Sequence, residues 1–188
     1  MAGSGRSQLA SLGGALAGLA LIARNALGTS LSAQAQTLVT ILIVLGGLAL
    51  VAGARERLGS FWGTVAAGGW IMTATIALVR FSLGVVAAAP AAAPVAPVFE
   101  ALNLVLLVMV WVCALAYTAA FAMGGRSTFP SWFIALSWVT AAASLVGIWT
   151  LNSATGFLSY TGEFRTWMLY LIGVWLLAGG LAMRGATD

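Results

Sequence analysis

The chain has 188 residues, of which 62% are hydrophobic, and it carries 8 Lys+Arg against 4 Asp+Glu, or 6% charged. A soluble domain of ordinary composition has about 25% charged residues to make its polar skin, so with a mean hydropathy of +1.06 this chain belongs in a bilayer. It has no histidine, no lysine and a single cysteine, Cys113, which excludes imidazole-held metals, lysine Schiff bases, internal disulfides and thiolate clusters.

A hydrocarbon core about 30 Å thick takes roughly 20 apolar helical residues to cross. The charged and Gly/Pro-rich positions divide the chain into six stretches of that order. The expected fold is therefore all-α: one polytopic transmembrane helix bundle over 1–188, with six spans. The first span, near 8–25, is Gly/Ala-rich, has Gly14 and Gly18 at GxxxG spacing, and ends at Arg24, which must snorkel. Its outline is also that of a secretory signal, with Arg6 before the apolar run and Ala33-Gln34-Ala35 as a cleavage site. Arg24 lies between run and site and makes a poor cleavage region, so the segment is expected to stay as a helix.

The second span, near 36–54, contains Gly46-Gly47 and leads to Arg55-Glu56-Arg57, which reads as a topology determinant facing lipid headgroups. The third, near 61–83, carries Gly59, Gly63 and Ala67 as a small-residue stripe, Trp70 at its middle and Arg80 toward its end. Residues 84–99 hold Pro90, Pro94 and Pro97 among alanines and read as a polyproline-like loop. The fourth span, near 100–123, opens on Glu100, favoured at a helix N-terminus by the dipole, and contains Trp111, Cys113 and Tyr117. The fifth, near 131–150, contains Trp138 and the pair Ala143 and Gly147; the sixth, near 166–183, follows Thr161-Gly162-Glu163 and contains Trp175 and Gly179-Gly180.

Treating Phe81–Phe99 as a seventh span is the competing topology. With six spans, Arg6, Arg55, Arg57, Arg126 and Arg184 share one side against Arg24, Arg80 and Arg165 on the other; with seven, the arginines divide evenly. The asymmetric division fits the positive-inside rule, so six spans in the inner (plasma) membrane with both termini cytoplasmic are expected. The arginines are scattered singly, which argues against nucleic acid as a partner despite a pI near 10.2.

The stretch Arg126-Ser127-Thr128-Phe129-Pro130-Ser131-Trp132-Phe133 resembles the loop-to-helix entry of uncharacterised multi-spanning bacterial integral membrane proteins. The resemblance covers these residues alone and implies no activity, cofactor or site; Pro130 and Trp132 also suit a helix start at a membrane interface. The lysine-free, alanine- and arginine-rich composition fits a bacterial source.

Two groups of residues could carry function. Trp62, Trp132, Trp149 and Trp167 fall near span ends, where aromatic belts anchor helices, but Trp70, Trp111, Trp138 and Trp175 fall inside the spans. With Tyr117 these inner tryptophans either fill gaps left by glycine and alanine, the preferred reading, or wall a pocket for an apolar ligand such as a quinone, carotenoid or lipid tail. Arg80 and Glu100, expected on the same side, form the second group, as an ion pair or the mouth of an anion site. Asn25, Asn103 and Asn152 add amides near that side, with Glu163 and Arg165 close by.

No intramembrane carboxylate offers a proton path, and no serine has a histidine or aspartate partner, so neither an ion pump nor a hydrolase is expected. Expected instead is a non-catalytic membrane protein with no catalytic or metal site: an accessory or structural subunit that packs against other membrane proteins, itself or lipid. The alternative is a small transporter or channel component with a polar mouth at Arg80 and Glu100.

Overall fold

The computed structural model describes residues 2–87, 90–149, 156–159 and 162–184. It contains six helices, each long and apolar enough to cross a membrane: α1 (Ala2–Leu27), α2 (Ala33–Leu58), α3 (Ser60–Ala87), α4 (Ala96–Gly124), α5 (Ser131–Ile148) and α6 (Glu163–Arg184). Each expected span is present, most of them longer by a few residues at one or both ends. Thr150, the last residue expected of the fifth span, lies outside the described residues, as do Asn152 and Thr161.

The helix ends follow from local chemistry. The Ser32 hydroxyl accepts the Ala35 N–H at 3.2 Å and caps α2. Gly59 ends α2 at φ 78°, a backbone conformation that only glycine adopts without strain, so α3 starts at once in the opposite direction. That role removes Gly59 from the small-residue stripe expected on the third span; Gly63 alone packs tightly there, with the Arg55 carbonyl 2.7 Å from where its Cβ would sit. Glu163 lies in the first turn of α6, where the dipole favours it.

The proline-rich connection departs from expectation. α3 continues to Ala87, Pro90–Val95 form a 3₁₀ helix, and Pro97 occupies the first turn of α4. Proline fixes φ near −65° and lacks an N–H, which suits a 3₁₀ turn and a helix start as well as it suits an extended loop.

Successive helices pack on one another, α6 closes against α1, and α2 also reaches α4 and α6 across the middle. Successive helices run antiparallel, so the start of α1 and the end of α6 lie on one face, with the 58–60 and 125–130 turns.

Apolar burial gives little driving force between helices in lipid, so close backbone approach supplies the packing. α1 is held by glycines on both sides. A Cβ on Gly14 would sit 2.9 Å from the Gly180 nitrogen, and one on Gly18 would sit 2.5 Å from the Gly173 carbonyl oxygen, both on α6. On the other side Gly13 faces Gly46, with the Gly46 oxygen 2.8 Å from the same construction. The hydroxyls of Thr73, Thr75, Ser137, Thr140 and Ser144 each donate to the carbonyl four residues earlier, at 2.8–2.9 Å, which satisfies them inside their own helices.

Candidate functional site

Three of the inner aromatics come together at the bundle's centre. Trp70 on α3 meets Tyr117 on α4 edge to face, with centroids 5.4 Å apart, and Tyr117 meets Trp175 on α6 at 5.3 Å. Phe121 and Phe133 extend the cluster, 5.0 and 5.7 Å from Trp175. Trp175, Tyr117, Phe121 and Phe133 are fully buried.

Two glycines make room for it. Gly47 on α2 receives the six-membered ring of Trp70, whose Nε1 donates to the Val44 carbonyl at 3.2 Å. Gly179 on α6 lets Phe133 approach, its Cζ 3.3 Å from where a Cβ would stand. The Trp175 Nε1 donates to the Ser137 hydroxyl at 2.9 Å. The Tyr117 hydroxyl, by contrast, is buried and has no hydrogen-bond partner among the described residues.

The other two expected pocket liners lie elsewhere. Trp111 is buried but packs on α5, with its Cγ 3.0 Å from the position a Gly147 Cβ would take. Trp138 lies at the right depth on the wrong side of its helix: it is 38% exposed, with the Arg126 guanidinium 5.9 Å above its ring. Ser137, Thr140, Ala141 and Ser144 form the inward face of α5, and one residue of helix rotates a side chain about 100° away from its neighbour. Trp132, Trp149 and Trp167 are exposed near helix ends, as anchoring requires.

The polar candidates lie on the face opposite the start of α1 and the end of α6. The expected pairing of Arg80 with Glu100 gives way to another: the Arg80 Nε donates to the Asn103 Oδ1 at 2.7 Å, while Glu100 is exposed. The acceptor is one turn further along the same helix face, where it reaches the half-buried guanidinium. Asn103 was legible only as an amide near this side; its spacing of three from Glu100 was the available signal. The Asn25 side chain donates to the Thr166 carbonyl at 3.1 Å, which joins the end of α1 to the start of α6.

On the terminal face, Arg6 and Glu56 form the one ion pair among the described residues, exposed, at 3.4 Å. The Arg184 Nε donates to the Ser11 hydroxyl at 2.9 Å, and the Thr128 hydroxyl to the Arg57 carbonyl at 3.2 Å. Among the described residues no three His, Cys, Asp or Glu side chains gather as metal ligands would. The chain matches no protein-family model, no curated protein and no solved structure.

Proposed function

We propose that this protein is a non-catalytic subunit of the inner membrane that packs against a further membrane helix, from a second protein or a second copy, through the outer face of α3. The observation that carries the reading is how little of α3 the bundle covers: 11% of its most apolar stretch is buried, against 56% for α6. Thr64, Gly68, Ile71, Met72 and Thr75 are exposed there, and a Cβ added to Gly68 would meet nothing within 4 Å. An exposed mid-helix glycine costs about 1 kcal/mol relative to alanine, and close approach of another helix offsets such a cost.

The non-catalytic part of the reading rests on the absence of histidine and lysine and on the single aspartate at position 188. The division of the arginines supports cytoplasmic termini. The aromatic cluster supports packing in preference to a bound quinone, carotenoid or lipid tail, because its rings contact one another directly. A transporter or channel component with its mouth at Arg80 and Glu100 is the second reading, favoured by the half-buried position of Arg80. The fully buried rings of Tyr117, Phe121, Phe133 and Trp175 at the bundle's centre argue against a continuous path.

Native mass spectrometry of the protein extracted from its own membranes in mild detergent tests the proposal. A defined complex is expected, and Gly68→Leu should release the partner while the subunit keeps its fold. A monomer, or a complex indifferent to Gly68→Leu, would overturn it.

A further inference from the structure

The 125–130 and 156–159 turns lie at opposite faces of the bundle and sort their side chains in opposite ways. At 125–130 Arg126, Ser127 and Thr128 are exposed, while Phe129 is folded inward, 6% exposed, against Phe121 and Phe133. At 156–159 the order is inverted. Ser159 is buried, whereas Phe157 is 54% exposed and Leu158 is exposed beside it. Leaving apolar area in water costs free energy in proportion to that area, so a turn bathed in water gains nothing by facing its serine in and its phenylalanine out. Trp149, which follows α5, and Trp167, near the start of α6, are exposed at the same face as Phe157.

The turn is tied to the entry of α6. The Ser159 N–H donates to the Gly156 carbonyl at 3.1 Å, the Gly162 N–H to the Ser159 carbonyl at 2.9 Å and the Phe164 N–H to the Phe157 carbonyl at 3.3 Å. The rings of Phe157 and Phe164 meet edge to face with centroids 5.8 Å apart. Phe157 is therefore held level with the first turn of α6. The arginines give the depth of that level. Along their helices Arg6 and Arg24 stand about 27 Å apart on α1, and Arg165 and Arg184 about 29 Å apart on α6, at 1.5 Å of rise per residue. Both separations match a hydrocarbon core about 30 Å thick, so Arg165 marks its edge, and Phe157 lies at that edge. This is the zone where aromatic rings anchor membrane proteins.

We propose that the 156–159 turn is a lipid anchor: Phe157 and Leu158 insert at the boundary between headgroups and acyl chains, in the leaflet opposite the start of α1 and the end of α6, alongside Trp149 and Trp167. Lipid covers the inverted face of the turn, and the hydrogen bonds to α6 hold it at that depth. Such an anchor needs no partner on α3, so it stands whether or not a further helix packs there.

The test uses the full chain with Cys113→Ala, so that Phe157→Cys, Leu158→Cys and the control Ser127→Cys each offer one thiol to the environment-sensitive fluorophore NBD. The labelled proteins are reconstituted in vesicles of phosphatidylcholine and phosphatidylglycerol. Iodide on both sides of the vesicle quenches from water, and phosphatidylcholine carrying a nitroxide either high on the acyl chain or near its end quenches from lipid. At 157 and at 158 emission should be blue-shifted relative to 127, iodide quenching should be largely lost, and the high nitroxide should quench more strongly than the deep one. At 127 iodide should quench freely and neither nitroxide should. Water-like emission at 157 and 158, with iodide quenching equal to that at 127, would overturn the proposal, because the turn would then stand in water. Protection from iodide without quenching by either nitroxide would overturn it as well, since protein and not lipid would then cover the turn. Strongest quenching by the deep nitroxide would also refute it, by placing the turn inside the hydrocarbon.

Discussion

Gly47 is the position where the packing of this bundle is most exposed to test. It sits in the middle of α2, and a Cβ built on it would fall on the six-membered ring of Trp70. An indole cannot yield as a flexible chain end can, so Gly47→Ala must push Trp70 away from α2. Overpacking of this kind costs about 1–3 kcal/mol. The displaced ring also gives up its hydrogen bond to the Val44 carbonyl, now 3.2 Å, worth about 0.6 kcal/mol between membrane helices. Its edge contact with Tyr117 is weakened as well, a further loss of about 0.5 kcal/mol or more. The sum is a loss of about 3 kcal/mol, with steric displacement the largest part. Reversible unfolding in mixed micelles of dodecyl maltoside and SDS, followed by fluorescence, measures it. The control is Gly84→Ala on α3, where nothing stands within 4 Å; it should be neutral or stabilising by up to about 1 kcal/mol. A double-mutant cycle isolates the cause: with Trp70→Ala already present, Gly47→Ala should cost nothing, because the methyl group enters the space the ring has left. A Gly47→Ala variant as stable as the parent, or a cost that persists when Trp70 is absent, would refute the reasoning.

Three more outcomes follow from the same core. Tyr117→Phe removes a buried hydroxyl that has no partner among the described residues, so stability should hold or rise; a loss above about 1 kcal/mol in the same assay would show that the hydroxyl is bonded to a water or a ligand. Ser137→Ala strands the Trp175 Nε1, which donates to it at 2.9 Å, and should cost about 1–3 kcal/mol, whereas adding Trp175→Phe should remove most of that penalty. Trp175→Ala should cost about 3–5 kcal/mol by opening a cavity, whereas Trp138→Ala, on the outer face, should cost far less; equal losses would place Trp138 inside the bundle.

How much was legible in the sequence depends on the range of the interaction. Span positions were legible because crossing a bilayer is a requirement on consecutive residues, and the arginines mark where each run stops. The contacts of Gly14 with Gly180 and of Gly47 with Trp70 were legible as types, since small residues promise close approach, but their partners were not. Trp138 shows the limit. Its depth can be counted from the span ends, but which side of α5 faces inward depends on where α4 and α6 lie, and α5 is apolar enough on all sides that no hydrophobic stripe reveals it. Arg80 and Asn103 show the same limit at the polar face: Glu100 was the acid expected to answer an arginine, and the bundle instead brings α4's next turn to it.

The sequence by itself therefore determined the solvent, the number of crossings and the sorting of charges to span ends, because each depends on local composition measured against one fixed length, the thickness of the hydrocarbon core. Only the tertiary structure decided the closure of α6 on α1, the meeting of Trp70, Tyr117 and Trp175, and the pairing of Arg80 with Asn103. In lipid the apolar faces of a helix are nearly equivalent, so which of them meet is settled by interhelical fit among glycines and rings, far apart in the chain.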